Sequence, residues 1–332
     1  MIAVIGAGAM GSALAILHRR AGLDVALLGT RFDGTTIEAC RAGLPHPALA
    51  ITVPSEIDLR THDDWATALA DTDRVVLAVS SDGISDVVAE VSSHARTDVV
   101  WMIATKGWDP KTLQTPSQLA AAAGARRIVV LAGPALAPEI VAGAPTALVI
   151  ASTDGAAADE VASSLQAGGV SATTTDDVVG AEVAAAYKNV TAIAVGICEG
   201  LSERQPESVF VHRFANARSA AFAHGLHDMT LLAAPRGGKR ETILGLAGAG
   251  DLYVTCLGGR NGKFGRLLGA GETSEQAQAT IGSTVEGIAN TRSALELGER
   301  YGVELRSAAT VASVLSGDVA PTDAIRTLLG PR

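Results

Sequence analysis

Ile2-Ala3-Val4-Ile5-Gly6-Ala7-Gly8-Ala9-Met10-Gly11-Ser12-Ala13-Leu14-Ala15 decides the reading of this chain. The four apolar residues read as a buried strand, the glycine-spaced segment as a tight turn, and Ser12 onward as the opening of an amphipathic helix. Strand, GxGxxG and helix in that order form the dinucleotide-binding fingerprint in the context it requires. Gly6 permits the turn, Gly8 lets the backbone approach a pyrophosphate, and Gly11 lets helix and strand pack closely. The N–H groups at the helix start then hold the anion. A glycine-rich turn of purely structural purpose is the alternative, and the flanking elements favour nucleotide binding over it.

The rest of the first half continues this pattern. Short apolar runs at Val25–Leu28, Val75–Val79, Val99–Ala104, Ile128–Ala132 and Ala147–Ala151 read as strands buried on both faces, as parallel sheets require. Helical stretches at 12–21, 34–42, 63–70, 83–94 and 114–123 separate them. Repeated βαβ units imply a doubly wound sheet, whose ligands bind beyond the carboxyl ends of the strands. Beyond about residue 180 the spacing becomes helical only, with long alanine-rich runs at 181–202 and 208–233 and shorter ones near 261–269, 285–301, 308–315 and 321–328. The chain therefore divides into a dinucleotide-binding Rossmann domain, 1–178, and a helical substrate-binding domain, 179–332.

Composition agrees with two packed domains. The 332 residues exceed one ordinary core, and 48% are hydrophobic against 18% charged. Aromatics make up only 3%, so small aliphatic side chains must build the core. A net charge of −9 argues against a general nucleic-acid or membrane-surface role while leaving room for a local cationic phosphate site. Cys40, Cys198 and Cys256 are far apart and form no CxxC, which suits reduced thiols in a cytoplasmic protein. The nucleotide motif occupies the place of a signal peptide, and no apolar segment reads as an uninterrupted bilayer span.

Several polar residues interrupt the apolar pattern. Lys188 and Asn189 stand within a run of small apolar residues, either as a snorkelling lysine or as a lysine held in a site for general acid–base work. Lys106 follows a strand directly before Gly107, where ligands of such sheets bind, or is a solvated loop lysine. Asp251, after Gly248-Ala249-Gly250, reads equally well as a helix cap. Gly258-Gly259-Arg260-Asn261-Gly262-Lys263 is a basic glycine-rich loop before a helix, suited to a phosphate group or to plain flexibility. His224 and His227 beside Asp228 lack further metal ligands, and no metal is expected. Ser80, Ser81 and Asp82 lack a histidine partner, so a hydrolase triad is not supported.

Taken in order, these motifs resemble the NAD(P)-dependent glycerol-3-phosphate dehydrogenase family over nearly the whole chain. The residues concerned are Gly6 to Ala15, Thr105-Lys106-Gly107, Gly133 to Glu139, Lys188-Asn189-Val190 with Ala192-Ile193-Ala194 and Gly196, Gly245 to Leu252 with Thr255-Cys256, Gly259-Arg260-Asn261 with Phe264-Gly265, and Val285-Glu286-Gly287. The resemblance implies an α/β fold, an N-terminal Rossmann-like doubly wound sheet followed by an all-α C-terminal domain of 6-phosphogluconate dehydrogenase-like form, in a cytoplasmic homodimer. It implies that Lys188, Lys106 and Asp251 are catalytic and that Lys106, Gly133, Asn189, Asp251, Thr255, Gly259, Arg260 and Asn261 bind substrate. It also implies cofactor contacts from Gly6, Gly8, Ala9, Met10, Gly11, Lys106, Ala137, Arg260 and Glu286. The expected reaction interconverts sn-glycerol 3-phosphate and dihydroxyacetone phosphate without a metal.

Three departures concern the substrate. The family often has Ser or Thr where Ala135 stands, Ser where Gly259 stands, and Arg where His224 stands before Gly225. A related reductase acting on another small phosphorylated polyol or on a hydroxy or keto acid is therefore one alternative, and a noncatalytic NADP(H)-sensing protein another. For the cofactor, Val25–Leu28 leads into Gly29-Thr30-Arg31 with no carboxylate at the usual ribose position. Asp33 would reach inward only if its loop folded back. Thr30 and Arg31 are thus expected to face the adenosine ribose, and NADPH to be used at least as well as NADH.

Overall fold

The computed structural model describes residues 1–207 and 212–331. Its first 178 residues carry one eight-stranded sheet in the order β3-β2-β1-β4-β5-β6-β7-β8. The strands are β1 (Ile2–Ile5), β2 (Val25–Leu28), β3 (Asp58–Arg60), β4 (Arg74–Leu77), β5 (Val100–Ile103), β6 (Arg127–Ala132), β7 (Ala147–Ala151) and β8 (Ser171–Thr175). Every residue of β1, β2 and β5 is buried, which is why they read as unbroken apolar runs. Strand order reverses at β1, where Ile5 is in register with Leu28 of β2 on one side and Leu77 of β4 on the other. In open α/β sheets, ligands bind in the crevice beyond the carboxyl ends of the strands at such a reversal, which here lies beyond Ile5.

The sheet differs from the expected one in two respects. The strands β3 and β8 have no apolar run: Asp58-Leu59-Arg60 and Ser171-Ala172-Thr173-Thr174-Thr175 lie at the two edges, where polar residues are tolerated. Moreover, β7 runs antiparallel to β6. The helix between them, Ala137–Ala142, has six residues and ends on the left-handed Gly143 (φ 72°). At ~1.5 Å per residue it cannot carry the chain back along the sheet as a parallel crossover requires.

The described chain forms two compact units, Met1–Val178 and Val179–Arg332. Among the described residues of the second there is no strand. Its core is the helix Val178–Glu203, buried along nearly its whole length. By length and composition this helix could cross a bilayer, contrary to the reading that no segment could, but 89% of its apolar window is buried in the fold. The bent pair Arg240–Cys256 and Arg260–Ala270 meets the same criteria. The run expected to be helical over 208–233 is helical from Ala215 to Ala233, and 208–211 lie outside the described residues. Arg213 and Phe214, with φ of 45° and 50°, form a left-handed turn that sets its start.

Candidate active site

The glycine loop adopts the geometry its spacing requires. Gly6 has φ 101°, and a Cβ there would lie 2.6 Å from the carbonyl oxygen of Ala78. At Gly11 a Cβ would overlap the carbonyl oxygen of Gly6, so the helix Ala9–Arg20 can sit this close to β1 only without a side chain. Gly8 is different: nothing lies within 4 Å of where its Cβ would project. That open position, at a helix start with no side-chain cap, is what a close-approaching pyrophosphate needs. The residues present therefore fit a dinucleotide. Beneath the loop, buried His46 accepts from Ala48 N–H through Nδ1 (3.1 Å), so its Nε2 proton faces the Ala7 carbonyl (3.0 Å). No motif marks His46, which lies far from the loop in sequence.

A pocket of about 490 Å³ adjoins this loop and is lined by Gly6, Gly8, Thr30, Arg31 and Asp33 among others. The segment after β2 does fold back. The Asp33 carboxylate accepts from the Thr30 backbone N–H (2.8 Å), the Thr30 hydroxyl (2.7 Å) and the Ala7 N–H (3.3 Å). Asp33 thus reaches inward by the loop fold its position required, and its carboxylate stands with Thr30 and Arg31 beside the glycine loop. A sequence reading places Asp33 too far along because it cannot show the turn closed by Asp33 N–H on the Thr30 carbonyl (3.0 Å).

The ends of β4, β5 and β6 also meet. The Thr105 hydroxyl accepts from Val79 N–H (3.2 Å), and Lys106 Nζ donates to the Gly133 carbonyl (3.3 Å). Gly107 and Gly133 have φ of 132° and 98°, a region that favours glycine. Ala137 opens the following helix and is buried.

In the second unit Lys188 and Asp251 pair at 2.6 Å, with Lys188 9% and Asp251 1% exposed. Lys188 therefore does not snorkel to solvent. Asp251 does not cap its helix either. It follows a π-helical turn, Leu246–Gly250, and begins Asp251–Cys256 with Gly250 in the cap position. Such turns are rare and recur at functional sites. Within this helix the Thr255 hydroxyl donates to the Asp251 carbonyl (2.6 Å). Burial pushes the Cys256 thiol up to about 12, against the opposing charges of Arg218 and Lys188, which favours its protonated form.

A chain of amides links the remaining candidates. Asn261 Nδ2 donates to Asn189 Oδ1 (3.0 Å), and Asn189 Nδ2 to Glu286 Oε2 (3.3 Å). Gly287 N–H completes the chain on Asn261 Oδ1 (2.9 Å). The link exists because Val178–Glu203 and Arg260–Ala270 touch backbone to backbone. A Cβ on Gly265 would overlap the carbonyl of Ile193, one on Gly269 that of Ile197, and one on Gly200 that of Arg266. Sequence reading missed this glycine seam, although Gly196, Gly200, Gly265 and Gly269 repeat at intervals of four on each helix. Arg260, exposed, opens its helix beside a Gly259 cap that offers no side chain. Among the described residues no three His, Cys, Asp or Glu side chains gather as a metal site would need. Asp228 instead accepts from the Tyr187 hydroxyl (2.9 Å) and Ser307 N–H (2.7 Å).

Comparison with known proteins agrees along the chain. Residues 1–158 match the family model for the N-terminus of NAD-dependent glycerol-3-phosphate dehydrogenase, and residues 177–326 the model for its C-terminus. A glycerol-3-phosphate dehydrogenase, NAD(P)+, of Pectobacterium atrosepticum is 38% identical over 309 residues, covering 91% of this chain and 87% of that protein. Its namesake in Sodalis glossinidius is 37% identical over 334 residues, covering 98% and 95%. A crystal structure of glycerol-3-phosphate dehydrogenase from Coxiella burnetii superposes with a TM-score of 0.88 at 29% identity, covering 99% of this chain and 98% of that one. Matched by both models and by relatives of this identity along its length, the chain belongs to the NAD-dependent glycerol-3-phosphate dehydrogenase family.

Proposed function

We propose that this chain interconverts sn-glycerol 3-phosphate and dihydroxyacetone phosphate with NAD or NADP, the first unit binding the dinucleotide and the second the substrate. The observation that carries the reading is the buried pair between Lys188, on the core helix of the second unit, and Asp251. When bound, the nicotinamide supplies or takes up the hydride. Lys188 gives its proton to the substrate oxygen as that oxygen gains charge in reduction, and recovers it in oxidation. Asp251 orients the ammonium and balances its charge. The open N-terminus of Arg260–Ala270, with the Arg260 guanidinium, receives the substrate phosphate. Asn189, Asn261 and Glu286 hold that terminus against the Lys188 helix through their hydrogen bonds.

Gly6, Gly8, Ala9, Met10 and Gly11 cradle the pyrophosphate. The roles of Lys106, Gly133, Thr255, Gly259 and Ala137 follow the family resemblance. Free thiols at Cys40, Cys198 and Cys256 suit a reducing cytoplasm, and a homodimer is the proposed assembly, checked by light scattering. The deciding experiment follows reduced-nicotinamide absorbance with dihydroxyacetone phosphate and purified protein. Rapid, saturable loss of the signal is expected. Turnover of an unphosphorylated keto acid instead would favour the related-reductase reading, which the absent hydroxyls at Ala135 and Gly259 keep in view.

A further inference from the structure

We infer that His46, outside the glycine motif, is a positioning residue for the dinucleotide: by holding the Ala7 carbonyl inward it turns the Gly8 N–H outward to a pyrophosphate oxygen. This rests on the proposed dehydrogenase reading and adds to it a residue that sets the donor geometry of the glycine loop.

The glycine at position 8 creates the need. Without a Cβ it takes positive and negative φ about equally readily, so the peptide between Ala7 and Gly8 is free to flip. A planar trans peptide points its C=O and N–H in opposite directions. One setting therefore offers an approaching anion the Gly8 N–H, and the other offers the Ala7 carbonyl oxygen, which repels it. The structure holds the first setting. Gly8 has φ −74° and is exposed, whereas Ala7 is 1% exposed. The flanking peptides are tied elsewhere: Ala7 N–H donates to Asp33 Oδ2 (3.3 Å), and the Gly8 carbonyl accepts from Ser12 N–H (3.0 Å). Among the described residues, the donor on the Ala7 carbonyl is His46 Nε2–H (3.0 Å).

That donor is itself fixed. His46 lies between Gly34–Arg41 and β3 and is 1% exposed. Ala48 N–H occupies Nδ1 (3.1 Å), which places the ring proton on Nε2. A closed turn holds the backbone, with His46 N–H on the Ile51 carbonyl (2.7 Å) and Ala50 N–H on the His46 carbonyl (2.8 Å). Both ring nitrogens are thus engaged, and turning the ring would break both bonds. On the outer side, nothing lies within 4 Å of where a Gly8 Cβ would project, so the outward N–H has room for a ligand oxygen.

The test compares His46→Leu with His46→Gln, which keeps an N–H donor at similar reach. NADH binding to the full chain is followed by nicotinamide fluorescence. His46→Leu should weaken it by about tenfold or more, as expected for losing a hydrogen bond to a charged group. His46→Gln should restore most of that loss. In turnover of dihydroxyacetone phosphate, KM for NADH should rise in His46→Leu while kcat at saturating NADH holds, the mark of lost uniform binding. Unchanged NADH binding in His46→Leu overturns the inference, and equal weakening in both variants overturns it by making His46 a packing residue alone. Nitrogen-15 spectra of the unaltered chain need no variant to fold: His46 should carry its proton on Nε2, and a proton on Nδ1 overturns the inference. Failure of the unaltered chain to bind NADH removes the dehydrogenase reading itself.

Discussion

At the scale of single residues, the buried Lys188–Asp251 pair bears on stability and, in the proposed reading, on the chemistry. Lys188→Ala should lower turnover by ~10²–10⁴-fold, the usual contribution of a positioned acid–base group. It should also destabilise the fold, since Asp251 is 1% exposed and would lose its ammonium. Breaking one side of a buried pair typically costs about 3–5 kcal/mol. The double variant Lys188→Met with Asp251→Asn separates the two effects: denaturant melts should recover most of the lost stability while activity stays absent. Recovery of turnover in that variant would remove Lys188 from the chemistry. Arg260 is argued differently, because it is exposed at a helix start. Arg260→Ala should raise KM for dihydroxyacetone phosphate at least about tenfold and leave the weak turnover of unphosphorylated dihydroxyacetone nearly unchanged. An equal effect on both substrates would show that Arg260 does not read the phosphate. Sequence identified both residue types at their positions. It could not decide whether Lys188 snorkelled or paired, since that depends on Asp251, 63 positions away.

Among the elements, the contact between Val178–Glu203 and Arg260–Ala270 positions the proposed site residues Asn189 and Asn261, which meet where these helices touch. Gly265→Ala would force a methyl against the Ile193 carbonyl. Overpacking of this kind costs about 1–3 kcal/mol, and here the obstacle is backbone rather than a flexible side chain. A lower urea midpoint, together with a raised KM, is the expected outcome; an unchanged midpoint would mean the helices can separate without cost. The sequence displayed the glycines but not their partners, since spacing within each helix does not say which helices pair. The same reason explains the missed edge strands. Ser171–Thr175 is a strand only because β7 lies beside it, with Ala147 to Ala151 in register with Ser171 to Thr175.

For the whole molecule, the first unit carries its own pH dependence. His18 is buried on Ala9–Arg20 with Ser164 Oγ 3.3 Å from Nδ1, and burial, with the nearby Arg74 charge, lowers its pKa from 6.5 to about 4. Between those values the unfolded chain binds the proton and the folded chain does not. The stabilisation is therefore complete above about pH 6.5 and is lost as the pH falls toward 4, by on the order of 3 kcal/mol in all. Urea midpoints measured from pH 7.5 to 4.5 should fall in the unaltered chain and fall less steeply in His18→Gln; matching slopes would exonerate this histidine. His18 could not be singled out from sequence, since burial on a helix face carries no motif. By itself the sequence determined the dinucleotide fold of the first half, the helical second half and most candidate residues, because local spacing of apolar residues and glycines dictates strand, turn and helix. Tertiary structure alone decided that β7 runs antiparallel to β6, that Lys188 faces Asp251, that two glycine-spaced helices touch, and that Asp33 turns back onto the glycine loop. Each of these is a contact between segments distant in sequence or a turn closed by hydrogen bonds, and no local pattern encodes which partner a donor or a helix face will find.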